Sequence, residues 1–368
     1  MGRRDFVGKA AVGIAGALAA GCTAGPSGSA PGAITQPRLR WKLVSSFPRS
    51  LDTIFGAAEV FADRVSSLTD GRFEMRVFPA GEVVGAFEVM DAVGRDVAQI
   101  AHSASYYFSG KEDAFVFDAA VPFGLEARQH MAWLSSAGGR ELMRPLFAEH
   151  GLIQFPGGNT GVQMGGWFRR EIHSLEDLKG LRMRIPGLGG KVMTALGATV
   201  QQIPGGEIYT SLERGAIDAT EWVGPYDDEK LGFHQVAKNY YYPGWWEPGP
   251  GLSFYINLDA WAKLPSTYQA AVRAASEEAS LWMLNQYDAE IPPALQRLVK
   301  AGVSLLPFPE DVMQRAYEAT REILGDLAAS DAKFREIYEH WSAFRRDSAK
   351  WLSTAELQYL KFAATLAS

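Results

Sequence analysis

The sequence predicts an α/β protein with two lobes and a helical final third. Residues 39–103 alternate between segments with strand periodicity and segments with apolar residues at helical spacing, and the same alternation begins again after residue 150. An order of β-α-β-α-β indicates a parallel sheet with right-handed crossovers. Because such sheets bind ligands beyond the carboxyl ends of their strands, two successive units predict a binding crevice between two lobes.

Each unit is predicted from alternating residues, helical apolar spacing and the glycines that follow helices. The first unit has strands and helices, in order, at 39–45, 54–65, 73–78, 87–93 and 97–102, the helices being 54–65 and 87–93. The second has strands at 152–155, 161–168, 181–185, 200–203 and 216–222, with helices at 189–196 and 209–214.

The final third of the chain is predicted to be helical. Its helices are expected at 265–286, 294–301, 309–327, 331–344 and 351–366. The last two carry apolar stripes, with large aromatic residues such as Trp351, Tyr359 and Phe362 on the terminal helix. Stripes of this kind belong to a core more often than to an interface, but they also make the terminal helix a candidate dimer contact.

Length and charge exclude some classes of protein. The 368 residues are enough for two domains, and a hydrophobic content of 47% is typical of an ordered globular protein. The formal net charge is −6. A net negative chain without a Lys/Arg block lacks the basic surface that nucleic acid requires.

The N-terminus predicts export. Arg3-Arg4 precedes an apolar segment of small residues at 10–20, which is the pattern of a twin-arginine signal. We therefore expect a periplasmic protein. Cys22, the single cysteine, lies in a sequence that resembles a lipoprotein processing site, and two outcomes stay open: acylation at Cys22, or cleavage without a lipid anchor. The Gly-, Pro- and Ser-rich residues 23–37 suit a flexible tether in either case.

Catalytic motifs are weak. The six histidines show no zinc-binding spacing, and the sequence has neither a nucleophile elbow nor a phosphate-binding glycine loop. His102, which follows a predicted strand, is interpreted as a structural residue. The acidic run 227–229 is interpreted as the start of a solvated helix.

Binding chemistry is better represented. Arg184 lies at the end of a predicted strand, where a guanidinium can hold a carboxylate through two hydrogen bonds. Gln163 lies in a glycine-rich run and offers an amide oxygen to a hard cation. Glu221 is followed by Trp222, and Glu247 follows a run of aromatic residues. Acids among aromatic residues indicate a nearby cation or hydrogen-bond donor.

Several long segments resemble the solute-binding proteins of tripartite ATP-independent periplasmic (TRAP) transporters. The segment Gly180-Leu-Arg-Met-Arg184-Ile-Pro-Gly187 and the segment Glu213–Ala219 match family motifs. The resemblance is closest to members that bind 2-oxo monocarboxylates such as pyruvate, and four segments carry it: 45–56, 155–170, 218–233 and 240–247. The chain departs from that subgroup at Tyr106-Tyr-Phe-Ser109, where an additional aromatic residue is expected.

The resemblance implies a two-lobed periplasmic binding protein with a hinge helix and additional C-terminal helices. The implied regions are a signal and tether at 1–37, lobe I at 38–157 plus about 249–290, lobe II at 158–248 plus about 291–345, and a C-terminal helix at 346–368. The implied partners are a small carboxylate solute, the small and large membrane permease subunits, and a second copy bound through the C-terminal helix.

The resemblance also implies roles for individual residues. Arg184 would hold the solute carboxylate, and Tyr106 and Tyr107 would close the site from lobe I. A metal cation, sodium or calcium, would be held by four residues that also contact solute: Gln163, Glu221, Trp222 and Glu247. An alternative function is a metal-dependent enzyme that acts on small 2-oxo acids, but no activated nucleophile or acid–base pair supports it. We therefore expect a receptor and not an enzyme.

Overall fold

Eleven strands and thirteen α-helices form the part of the chain that the computed structural model describes, residues 36–366. The strands are β1 (Leu39–Ser45), β2 (Phe73–Phe78), β3 (Ile100–Ser103), β4 (Leu152–Asn159), β5 (Trp167–Phe168), β6 (Arg182–Arg184), β7 (Thr199–Gln201), β8 (Ala219–Thr220), β9 (Asn239–Tyr242), β10 (Gly251–Asn257) and β11 (Ser304–Pro307). The signal and Cys22 predictions lie outside the described residues.

The helices form two groups along the chain. The first group is α1 (Gly56–Leu68), α2 (Val89–Gly94), α3 (Ala127–Ser136), α4 (Gly139–Glu149), α5 (Gly187–Ala195), α6 (Ile208–Glu213), α7 (Pro225–Leu231) and α8 (Phe233–Val236). The C-terminal group is α9 (Leu258–Ala262), α10 (Ser266–Lys300), α11 (Glu310–Ser330), α12 (Ala332–Thr354) and α13 (Glu356–Ala364). No helix within residues 36–366 combines the length and the apolar character that crossing a membrane requires.

The first sheet has the strand order β2-β1-β3-β10-β4. Strand β1 pairs in parallel with β2 and β3, as the first predicted unit requires. Strand β10 lies between β3 and β4 and is antiparallel to both, so the expectation of an all-parallel sheet is wrong here. The reason is topological, since β10 comes from a much later part of the chain and enters the sheet from the opposite end. We call this sheet and the elements packed on it lobe I.

The second sheet has the order β11-β9-β5-β8-β6-β7. Strand β6 is parallel to β7 and β8, whereas β5 is antiparallel to β8 and β9. We call this sheet, with α5 to α8, lobe II. Each sheet therefore contains strands from separate parts of the chain, and the residue boundaries given above for the lobes stay a prediction.

Two predicted strands of lobe II are much shorter than expected. The segments 161–168 and 216–222 pair only at β5 and β8. Gly166 explains part of the difference, because it has φ of +81° and a Cβ there would lie 2.3 Å from the Thr220 carbonyl oxygen. The glycine-rich backbone therefore leaves the sheet and forms a loop against the neighbouring strand.

Helix α10 extends over 35 residues, although two shorter helices were predicted around Pro292 and Pro293. Prolines remove backbone hydrogen bonds and often end helices. Here a stripe of buried residues continues through the proline pair, formed by Tyr287, Ala294 and Leu298. The helix packs against α1 and β4 of lobe I and against α7 of lobe II, so it bridges the two lobes.

Candidate functional site

A small cavity lies between the two lobes. Its walls are formed by Phe47, Ile54, Tyr106, Tyr107, Thr160, Gln163, Arg184, Glu221, Trp222, Val223, Glu247 and Leu252. The cavity volume is about 10 Å³, roughly the space of one water molecule. The structure thus brings all seven residues predicted for the site to one place, with their side chains filling the space between the lobes.

Arg184 is the last residue of β6, and its side chain forms part of the cavity wall. Its Nε donates to the Ile203 carbonyl oxygen at 3.0 Å, and its Nη1 forms an ion pair with Glu221. Arg184 and Glu221 are only 1% and 2% exposed. Among the described residues the Arg184 Nη2 atom has no hydrogen-bond partner. One face of the guanidinium fork is therefore available to an anion.

Glu221 directly follows β8, which pairs with β6 so that Thr220 lies opposite Arg184 and the acid comes one residue later. Burial raises the pKa of Glu221 to about 7, and the guanidinium of Arg184 opposes that rise. The Trp222 ring lies 5.1 Å from the Arg184 guanidinium carbon, within the range of a cation–π contact. The partner that the sequence required for Glu221 is thus Arg184.

Glu247 supplies a second buried acid. The Tyr106 hydroxyl donates to Glu247 Oε2 at 3.2 Å, and the backbone N–H of Gln163 donates to the backbone carbonyl oxygen of Glu247 at 3.3 Å. Burial and the negative charge of Glu221 hold the pKa of Glu247 well above its usual range. Two carboxylates in one dry cavity repel each other, so a cation between them would be stabilised.

Gln163 is the residue that best fits a cation. Its Nε2 donates to Thr160 Oγ1 at 3.3 Å, whereas its Oε1 is buried and accepts no hydrogen bond from any residue in the range 36–366. The described part of the chain holds no cluster of three or more His, Cys, Asp or Glu side chains suited to a metal. An amide oxygen, two carboxylates and a main-chain oxygen are instead the oxygen ligands that sodium and calcium accept.

Lobe I closes the cavity with aromatic side chains. Tyr106 and Tyr107 belong to a 3₁₀ turn over Ser105–Phe108. Burial raises the pKa of Tyr107 to about 12, so both tyrosine hydroxyls stay protonated donors. Phe47 and Thr160 also line the cavity, although neither was predicted for the site. Phe47 lies in segment 45–56 and Thr160 in segment 155–170, and the resemblance carried by these two segments is the signal that could have found them.

Two other sequence interpretations have clear outcomes. His102 is fully buried, contacts the Gly157 carbonyl oxygen at 3.0 Å, and has a pKa lowered to about 4 by burial, which agrees with a structural role. The interpretation of 227–229 as a solvated helix start is wrong for its first two residues. Asp227 and Asp228 begin α7 but are buried, because indole and phenol donors surround them.

Comparisons with known proteins agree with this architecture. The model of the bacterial extracellular solute-binding proteins, family 7, matches residues 44–331. The monocarboxylate 2-oxoacid-binding periplasmic protein of Nostoc sp. (strain PCC 7120) is 48% identical over 365 residues, which is 99% of this chain and 100% of the relative.

Two solved structures are similar over most of their length. A TRAP transporter solute-binding protein from Bordetella bronchiseptica RB50, with calcium and picolinate in its active site, is 46% identical with a TM-score of 0.88, covering 90% of this chain and 99% of that one. A TRAP periplasmic solute-binding protein from Pseudoalteromonas atlantica T6c, with sodium and pyruvate, is 39% identical with a TM-score of 0.86, covering 88% and 99%.

These similarities extend over both lobes and the cavity between them. The family consists of receptors for transport and not of enzymes, which agrees with the expectation from the sequence. The chain therefore belongs to the bacterial extracellular solute-binding proteins of family 7, the solute receptors of TRAP transporters.

Proposed function

We propose that the protein binds a 2-oxo monocarboxylate of the size of pyruvate together with sodium or calcium, and delivers it to the TRAP permease subunits. One observation carries this proposal: a single buried cavity holds both an unsatisfied guanidinium donor on Arg184 and an unsatisfied amide acceptor on Gln163, within the described residues. The first suits an anion and the second a cation. The relatives that bind pyruvate or 2-oxo acids support the choice of solute.

Arg184 would bind the solute carboxylate through its Nη atoms, and this contact would replace part of the direct ion pair with Glu221. The Glu221 carboxylate would then coordinate the cation. Gln163 Oε1, the Trp222 main chain and Glu247 would be the further ligands. The cation would supply positive charge that offsets two buried carboxylates. Tyr106 would donate to Glu247 or to the solute, and closure of lobe I would exclude water.

Calorimetry with Arg184→Lys tests this assignment. The lysine keeps a positive charge opposite Glu221 but loses the planar fork, so we expect the dissociation constant for pyruvate to rise by about 100-fold or more. Arg182→Lys is the matched control, since Arg182 lies two residues earlier on the same strand and pairs with Asp218 at the surface. Wild-type affinity in Arg184→Lys would contradict the assignment.

Binding should also depend on the cation. We expect pyruvate to bind in sodium or calcium buffer and to bind poorly in choline buffer, and acetate, which lacks the 2-oxo group, to bind weakly in all three. Gln163→Met removes the amide oxygen at similar volume and should abolish the difference between the buffers. Equal pyruvate affinity with and without a metal cation would contradict the cation part of the proposal.

Two further proposals concern location and assembly. The twin-arginine sequence Arg3-Arg4 supports export by that route, and an Arg3→Lys, Arg4→Lys variant should remain in the cytoplasm. Cys22→Ser should release the protein from the membrane fraction where Cys22 carries a lipid, and should leave the distribution unchanged where it does not. The exposed apolar side chains of α13 support a homodimer formed through this helix.

A further inference from the structure

A buried triad of side chains joins the wall of the cavity to helix α10. The Trp222 indole N–H donates to Asp227 Oδ2 at 3.2 Å, and the Tyr287 hydroxyl donates to the same oxygen at 2.8 Å. Asp227 and Tyr287 are fully buried. Tyr287 lies on α10, the helix that packs against both lobes. One carboxylate oxygen therefore connects a residue of the site to the element that bridges the lobes.

The orientation of Trp222 affects the site directly. Its ring stands 5.1 Å from the Arg184 guanidinium carbon and 6.5 Å from the ring of Phe47 in lobe I. On the far edge it packs on Gly205, where a Cβ would lie 2.5 Å from the indole. The indole fills the space between the arginine, the opposite lobe and this glycine. Contact with Gly205 restricts the position of the ring edge. The hydrogen bond from the indole N–H then favours the side-chain orientation in which the ring faces Arg184.

A second triad next to the first provides an internal comparison. The Trp167 indole N–H donates to Asp228 Oδ2 at 2.9 Å, and the Tyr240 hydroxyl donates to the same oxygen at 2.6 Å. It is equally buried and has the same chemistry. Its tryptophan and tyrosine lie on β5 and β9 within lobe II, and Trp167 is not among the described residues that line the cavity.

We propose that Asp227, held by Tyr287, is a positioning residue that fixes Trp222 in the solute site and ties this site to α10. The inference rests on the solute-binding function proposed above. Asp228 and Tyr240 make the same contacts without reaching the site, and they serve the fold of lobe II. The two neighbouring acids therefore have different roles: Asp227 positions a residue of the site, and Asp228 stabilises the fold of lobe II.

Indole resonances test the positioning directly, without any ligand. In protein labelled with ¹⁵N-tryptophan, the Trp222 and Trp167 signals are assigned with Trp222→Phe and Trp167→Phe. We expect Tyr287→Phe to shift the Trp222 indole N–H and leave Trp167 in place, and Tyr240→Phe to do the reverse. A Trp222 signal that is unchanged in Tyr287→Phe would overturn the proposal, whatever the solute is.

Affinity for pyruvate, measured in sodium or calcium buffer, tests the consequence for the site. Because Tyr287→Phe would let Trp222 leave the position that faces Arg184, we expect this variant to raise the dissociation constant by about 5- to 20-fold. Tyr240→Phe, with equal loss of a hydroxyl, should change it by less than about 2-fold at a similar cost in melting temperature. Equal effects of the two variants would overturn the positioning role.

Rescue at Asp227 completes the test. Asp227→Asn keeps an oxygen that accepts both donors and should restore the Trp222 signal and most of the affinity, whereas Asp227→Ala should lose both. Loss of both in Asp227→Asn would count against the proposal. Failure of the wild type to bind pyruvate would refute the proposed function alone, because the indole signals still decide whether Asp227 and Tyr287 position Trp222.

Discussion

At the scale of single residues, hydroxyl and indole groups, and not bases, donate to one carboxylate oxygen of each of three buried aspartates, Asp118, Asp227 and Asp228. Asp118 in lobe I shows this clearly: its Oδ2 accepts from the Ser253 hydroxyl and from the Tyr255 hydroxyl, each at 2.9 Å. Burial raises the pKa of Asp118 to about 6, although the two donors oppose the rise. The folded state therefore keeps a proton that the unfolded chain releases near pH 4.

This pKa predicts a pH dependence of stability. Because the folded pKa of Asp118 lies above the unfolded value, its contribution is most favourable below pH 4 and declines as the pH rises to about 6. As the pH rises from 4 to 7.5, we expect the deprotonation of Asp118 to lower the free energy of unfolding by about 1–3 kcal/mol. The Asp118→Asn variant should lack this part of the decline.

Urea unfolding between pH 4 and pH 7.5 measures the effect. Glu176→Gln, a change at a mostly exposed carboxylate, is the control and should follow the wild-type profile. Parallel profiles for the wild type and Asp118→Asn would show that the acid is not protonated in the folded protein.

At the scale of elements, the two C-terminal helices differ in what they bury. Helix α12 buries Phe334, Ile337 and Trp341, and the Trp341 ring lies 5.7 Å from Phe117 of lobe I. Helix α13 buries no side chain within the described part of the chain, and Tyr359 and Phe362 are 69% and 64% exposed. The first stripe is therefore core, and the second offers apolar surface to another molecule.

Substitutions in these helices should separate stability from assembly. Trp341→Ala should lower the free energy of unfolding by about 3–5 kcal/mol, because it leaves a cavity in the core. The double variant Tyr359→Ser, Phe362→Ser should change the stability of the monomer by less than about 0.5 kcal/mol and should prevent formation of the proposed dimer.

Light scattering after size exclusion measures the oligomeric state, and urea unfolding of dilute protein measures the stability. A wild type that is monomeric at micromolar concentration, or a dimer that survives the double substitution, would refute the interface on α13.

At the scale of the whole molecule, two ion pairs join the lobes. Lys230 of α7 pairs with Asp52, and Lys191 of α5 pairs with Asp113. Each pair joins an acid of lobe I to a base of lobe II. Because these ion pairs join the two lobes, we expect them to favour the closed state over an open one.

Removal of both acids should therefore accelerate solute release. For Asp52→Asn, Asp113→Asn we expect the dissociation rate of pyruvate to increase by about 2- to 10-fold, as partly exposed ion pairs contribute little each. The difference from wild type should shrink at high ionic strength, where surface charges are screened.

Stopped-flow displacement of bound pyruvate measures this rate. Glu149→Gln is the control, since Glu149 forms an ion pair with Lys333 away from the cavity and should leave the rate unchanged. A double variant with the wild-type rate at low salt would show that the pairs do not hold the lobes closed.

Sequence patterns and the family resemblance together predicted the kind of fold and seven of the twelve residues that line the cavity. Period-two and helical spacing predicted β1, α1 and β2 closely, because these elements depend on which face of each is apolar. The resemblance named seven residues that the fold brings to one cavity. Such residues lie at strand ends and in glycine-rich turns. These are local features, so they can be recognised from the sequence.

The contacts between distant segments depend on the tertiary structure. The antiparallel insertion of β10, the continuity of α10 through Pro292 and Pro293, and the burial of Asp227 and Asp228 all depend on partners far away in sequence. The sequence predicts that an acid at the start of a helix is solvated. The structure shows that the phenols of Tyr287 and Tyr240 donate hydrogen bonds to these acids in the interior. Packing and long-range hydrogen bonds outweigh local propensity at these positions, and no local pattern carries that information.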